Sequence, residues 1–111
     1  MPVLSKSFRI ELLAGVSQTI IEKGTEIPAS KSSYFSTVDD GQHAIEVHVL
    51  RGDAWDVARN ESYAKYLIHQ VPDGPRGTAK VEVRFEVDFH GNLTLRAFDQ
   101  STAQELPVRP R

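Results

Sequence analysis

Hydrophobic and charged residues alternate strictly along Lys80-Val81-Glu82-Val83-Arg84-Phe85-Glu86-Val87-Asp88, with Val81, Val83, Phe85 and Val87 on one phase. A period of two is the pattern of a strand with one side on a core and the other in water. Ala44-Ile45-Glu46-Val47-His48-Val49-Leu50 repeats it, as do Phe8-Arg9-Ile10-Glu11-Leu12 and Asn92-Leu93-Thr94-Leu95-Arg96-Ala97. Weaker strand signals run over residues 16–22, 34–38 and 63–69, where β-branched and aromatic residues concentrate. Between these runs lie turn signals at Ala14-Gly15, Lys23-Gly24, Asp39-Asp40-Gly41-Gln42, Pro72-Asp73-Gly74-Pro75 and His90-Gly91-Asn92. A competing helical stripe of Trp55, Ala58 and Ala64 is interrupted by Asn60-Glu61-Ser62, so an irregular turn followed by a strand is expected there. Short strands at this spacing make an all-β antiparallel sandwich or barrel.

A length of 111 residues allows one core. Thirteen basic and fifteen acidic residues leave a net charge of −2, without the basic excess that releases counterions from nucleic acid. The chain has no cysteine, which excludes disulfides, thiolate metal sites and a cysteine nucleophile. No apolar run approaches the ~18–20 residues of a membrane span, the first residues do not build a signal peptide, and a cytoplasmic location is expected. Candidate chemistry is sparse. Gly74-Pro75-Arg76-Gly77 lacks the spacing and the following helix of a phosphate loop. His43, His48, His69 and His90 are scattered, Asp39-Asp40 lacks further calcium-loop ligands, and no serine sits in a nucleophile elbow. No catalytic residue, metal or cofactor is expected in this chain, which reads as a binding domain.

The residues become specific when taken in order. Gly24-Thr25-Glu26-Ile27-Pro28, Lys31-Ser32-Ser33-Tyr34-Phe35-Ser36-Thr37, Ile45-Glu46-Val47-His48-Val49-Leu50-Arg51-Gly52, Pro75-Arg76-Gly77 and residues 81–88 followed by His90-Gly91-Asn92-Leu93 form one series. That series resembles the β-sandwich substrate-binding domain of the 70-kDa heat-shock chaperones of the DnaK type. The resemblance implies an antiparallel sandwich of about eight strands over residues 7–105, an N-terminal extension at 1–6 and a flexible tail at 106–111. It also implies that the ATPase domain, with its ATP and Mg, and the helical lid belong to parts of a parent protein outside this chain.

Carried onto this sequence, the resemblance implies a peptide pocket for a leucine-like side chain lined by Phe8, Ile10, Leu12, Phe35, Ile45, Val47, Val81 and Val83. Leu13 and Val38 fall at the arch that closes over a bound peptide, and Ser36 and Val38 at main-chain contacts to it. Asp40 and Arg76 fall at the lid-latch positions, expected to be solvated charges without a lid. All eight pocket positions also lie on the inward phase of the alternation, so each equally suits a core role. Departures include Leu13 and Val38 where methionine or alanine is commoner, Ile45 for valine, Ala14 for glycine and His90 for an acidic or amide residue. The expected partners are unfolded, extended polypeptides and the parent's missing domains. The tail from Leu106 to Arg111, apolar and then basic, is a candidate for occupying the groove of a neighbouring copy. The rival function is an adaptor that binds one folded protein.

Overall fold

The alternating segments become strands that pair edge to edge and bury their apolar phase between two layers. The computed structural model describes residues 2–12 and 15–111. Among them, β1 spans Phe8–Glu11, β2 Ser17–Ile21, β3 Ala29–Phe35, β4 Ile45–Arg51, β5 Glu61–Ile68, β6 Val81–Val87, β7 Leu93–Asp99, β8 Glu105–Leu106 and β9 Val108–Pro110. One sheet has the order β2-β1-β4-β5-β9, the other β3-β6-β7-β8. The strand pairings among the described residues are antiparallel, which suits strands with one wet face. This is the expected all-β sandwich, with nine strands among the described residues where about eight were expected.

In β6 the phase is complete: Val81, Val83, Phe85 and Val87 are buried while Glu82, Arg84 and Glu86 face outward. Across the core they meet Phe8, Ile10, Val47, Val49 and Ile68 of the other sheet. Each fully buried side chain of this size contributes roughly 1.5–3 kcal/mol relative to an exposed one. On the outer face, Arg84 and Arg96 stand directly opposite one another, a like-charge pairing that costs stability by itself. The Phe98 ring lies 4.8 and 5.3 Å from the two guanidinium carbons and Glu105 pairs with Arg96 at 3.0 Å, which offsets the repulsion. The hydrogen bond from Arg96 holds the Glu105 carboxyl below the usual carboxylate range. At the turn after β6, Asp88 accepts the backbone N–H groups of Asn92 and His90, each at 2.9 Å, and these bonds lower its pKa.

Three differences from the alternation have physical causes. The strand of β3 starts at Ala29, five residues before its apolar signal, because Ser30 to Ser33 pair in register with β6 although their side chains carry little hydrophobic information. Arg9 lies on the polar phase yet is buried, because residues 52–56 cross the outer face above it. Its guanidinium bonds Ser17 Oγ at 2.6 Å, Thr19 Oγ1 at 2.5 Å and the Ser17 carbonyl at 3.0 Å. Segment 53–60 is as expected, a single 3-10 turn at Val57–Arg59 followed by β5, and is not one of these differences.

The third difference is the tail. Expected to be loose from residue 106, it instead forms β8 and β9: Leu106 is 6% exposed and opposes Ala97 in register. Pro107, which has no N–H to give a ladder, is the point where the chain leaves one sheet for the other. Val108, Arg109 and Pro110 then pair with Ile68, Leu67 and Tyr66, and Arg111 forms an ion pair with Glu46. Leu106 is thus occupied in its own core and not presented to a neighbour's groove. Leu106→Ala should destabilise the chain by about 3 kcal/mol in urea unfolding, the scale of a buried leucine truncation. A loose terminus would lose less than about 0.5 kcal/mol.

Candidate functional site

The antiparallel register carries three connections to one end of the sandwich: residues 12–16, 36–44 and 69–80. None is a regular ladder, so their backbone groups need other partners. Residues 36–44 and 69–80 find them in each other, and Leu12 and Val16 find them in one another and in segment 52–60. In the first set, Leu12 N–H donates to the Val16 carbonyl at 2.8 Å, Val16 bridges Asp56, and Ser17 N–H donates to the Trp55 carbonyl at 2.8 Å. The segment 52–60 that supplies these partners is shaped by Asn60, whose amide accepts from Ala54 N–H and donates to the carbonyls of Ala54 and Asp56. Gly52 makes that shape possible: its φ is +142°, and a Cβ there would collide with Asn60 Oδ1.

In the second set, Gly77 N–H donates to the Thr37 carbonyl at 3.0 Å and to Thr37 Oγ1 at 3.1 Å. Gly41 N–H donates to the Gly74 carbonyl at 2.9 Å and Val71 N–H to the His43 carbonyl at 3.0 Å. Ser36 Oγ donates to the Ala79 carbonyl at 2.7 Å. Asp40, exposed to solvent, accepts the Arg76 N–H through Oδ1 at 2.8 Å, so the two latch positions lie side by side.

The candidate pocket residues divide by depth. Phe8, Ile10, Ile45, Val47, Val81 and Val83 are all buried, Ile45 the most exposed of them at 5%. Ile45, Val47, Val81 and Val83, with Ile10 behind them, form the core wall beneath this end, whereas Phe8 lies toward the other end, opposite Arg51 in register and edge-on to Tyr63. Phe35 is half-buried against that core, opposite Val81 in register. Leu12 departs from its inward phase and is 40% exposed, because β1 stops at Glu11 and the chain lifts away from the core. Val38 is 62% exposed on the neighbouring connection. Leu13, the other arch position, lies outside the described residues. The N–H of Val38, expected to serve a ligand, already donates to Gln42 Oε1 at 2.9 Å, and Asp39 N–H shares that acceptor at 3.2 Å.

Sequence reasoning did not single out Gln42, Thr37 or Asn60, whose side chains hold these connections in shape. Gln42 alone carried a local signal, its place after Gly41, since amides next to turn glycines commonly bond local backbone; Thr37 and Asn60 meet Gly77 and Gly52 only in the fold. Removing the Asp40 carboxylate should cost about 1 kcal/mol in Asp40→Ala, read by chemical denaturation. Asp40→Asn, which keeps an acceptor oxygen, should recover most of it; equal losses in both variants would mean that the bond to Arg76 N–H contributes nothing.

Two comparisons bear on this arrangement. The Hsp70 protein family matches residues 1–109. The chaperone protein dnaK1 of Synechocystis sp. is 41% identical over 108 residues, which covers 97% of this chain and 16% of that chaperone. The chain therefore spans about a sixth of that relative's length, and over nearly all of its own it belongs to the Hsp70 family.

Proposed function

We propose that this chain is the peptide-holding β-sandwich of an Hsp70-type chaperone and that it binds extended, leucine-containing segments of unfolded polypeptides. The observation that carries the reading is the pair of exposed aliphatic side chains, Leu12 and Val38, on separate bonded connections at the end where Phe35 and Ile45 cap the core. An unfolded segment offers unpaired backbone and side chains that are normally buried. A channel between two connections reads the first feature, and an apolar floor reads the second. Depth and register decide the roles: Phe35, Leu12 and Val38 contact the ligand, Ile45 forms the floor, Ile10, Val47, Val81 and Val83 support it from below, and Phe8, at the far end of the core, serves the fold alone.

Asp39 and Asp40, both exposed beside Val38, favour basic residues flanking the apolar centre of the peptide. Ser36 and Val38 offer carbonyl acceptors, since the Val38 N–H is engaged by Gln42. Nucleotide binding and hydrolysis, with Mg, belong to other parts of the parent protein, as do the contacts that close a lid over Asp40 and Arg76.

Unrelated peptides with a central leucine should bind with a Kd of about 1 μM, or about −8 kcal/mol, and should exchange quickly in fluorescence anisotropy. Ile45→Phe should weaken that binding at least tenfold while the chain still folds, at an overpacking cost of about 1–3 kcal/mol. Wild-type affinity in a folded Ile45→Phe variant would put the pocket elsewhere. A flat response to the whole peptide panel, with one folded partner bound instead, would replace the chaperone reading with that of an adaptor.

A further inference from the structure

Three side chains far apart in sequence meet on the outer face of the five-stranded sheet. Glu11 of β1, His48 of β4 and Ser62 of β5 lie in one row: His48 Nδ1 is 2.6 Å from Glu11 Oε1, and His48 Nε2 is 2.7 Å from Ser62 Oγ. The carboxylate fixes the direction of the first bond, and the charge of the ring sets that of the second. An ionised carboxylate only accepts, so Nδ1 carries the proton and donates to Glu11. In a neutral imidazole the other nitrogen then holds a lone pair, so Ser62 donates its hydroxyl proton to Nε2. That tautomer is the one a general base needs, with a carboxylate orienting the ring and a hydroxyl poised to lose its proton.

The fold holds the row in place. A bulge between Val49 and Leu50 of the β4–β5 ladder changes the phase of β5, so that Ser62 shares the outer face with His48 while Tyr63 turns to the core. The His48 side chain is 14% exposed and that of Glu11 39%, so the base is partly shielded, while Ser62 is open to solvent. Lys65, directly opposite His48 in register, places a cation on the same face.

We propose that Ser62 is an activated surface nucleophile that takes an acyl group from small activated esters, such as aryl esters or acyl phosphates. Ser62 Oγ bonds to the carbonyl carbon as its proton passes to His48 Nε2. Glu11 stabilises the imidazolium, and Lys65 offsets the charge that develops on the carbonyl oxygen. The ester C–O bond then breaks and the leaving oxygen takes the proton from Nε2. The products are an O-acyl serine and the free alcohol or phosphate, with no change of oxidation state. Ser32 supplies an internal control, because its hydroxyl also bonds a carboxylate, Glu82 at 2.7 Å, with no histidine between them.

The test treats the chain with p-nitrophenyl acetate and maps acetylated peptides against nitrophenolate release. Ser62 should be acetylated at least tenfold faster than Ser32 or Ser101. His48→Gln should slow acetylation of Ser62 about 100-fold, the scale of general-base assistance, and Glu11→Gln should slow it less. Ser62→Ala should abolish the fast phase of release. A bridge with only a structural role would leave Ser62 no faster than Ser32, or equally fast in His48→Gln, and either result overturns the proposal. Should His48→Gln fail to fold, the comparison of Ser62 with Ser32 in the unaltered chain and the Glu11→Gln rate still decide it.

Discussion

The irregular end of the sandwich depends on backbone hydrogen bonds between neighbouring connections. A strand satisfies its N–H and C=O groups through its ladder, but residues 12–16, 36–44 and 69–80 leave the sheets and lose that option. The bonds from Gly77 to Thr37, Gly41 to Gly74 and Val71 to His43 replace it for the last two, and that from Leu12 to Val16 for the first. Each is worth only about 1 kcal/mol net, yet leaving such a group unpaired and shielded from water costs more. The connections are therefore shaped by one another, and the exposed side chains they carry, Leu12 and Val38, are presented from braced backbone.

This arrangement lets one set of apolar residues serve two purposes. Val47, Val81 and Val83 stabilise the sandwich whether or not a ligand is present, because they are already dry. Phe35 and Ile45 sit where that core reaches the surface, so binding a peptide there extends an existing core and needs no new one. The overlap explains why alternation alone could not separate pocket from core: both require the same phase of the same strands.

The layers were legible because burial and exposure alternate residue by residue in β6 and β4, and the same logic failed wherever backbone or tertiary cover decides. Ser30 to Ser33 form a strand on backbone pairing with β6 alone, so no apolar signal marked it. Arg9 carries the charge of a solvated position but lies beneath residues 52–56, a cover that no local pattern announces. Prolines at 107 and 110 suggested a loose end, whereas Pro107 marks a change of sheet and Pro110 occupies the edge of β9, where a missing donor is tolerated. Leu12 lost its inward phase because β1 ends one residue earlier than the alternation implied. The row of Glu11, His48 and Ser62 was invisible in sequence because the three residues meet only through the register of three strands, with a bulge between two of them.

The central claim is that the binding end is braced before any ligand arrives. Native-state hydrogen exchange on the ligand-free chain tests it directly at four amides: Gly41, Val71 and Gly77, which donate from one connection to another, and Ser17, which donates from the start of β2 to segment 52–60. If the connections hold one another, these amides exchange at least 100-fold more slowly than the same groups in an unstructured peptide, equivalent to an opening free energy of about 2.7 kcal/mol. Exchange at unprotected rates for all four, with β4 and β6 still protected, would contradict the account and make the ligand the agent that orders this end.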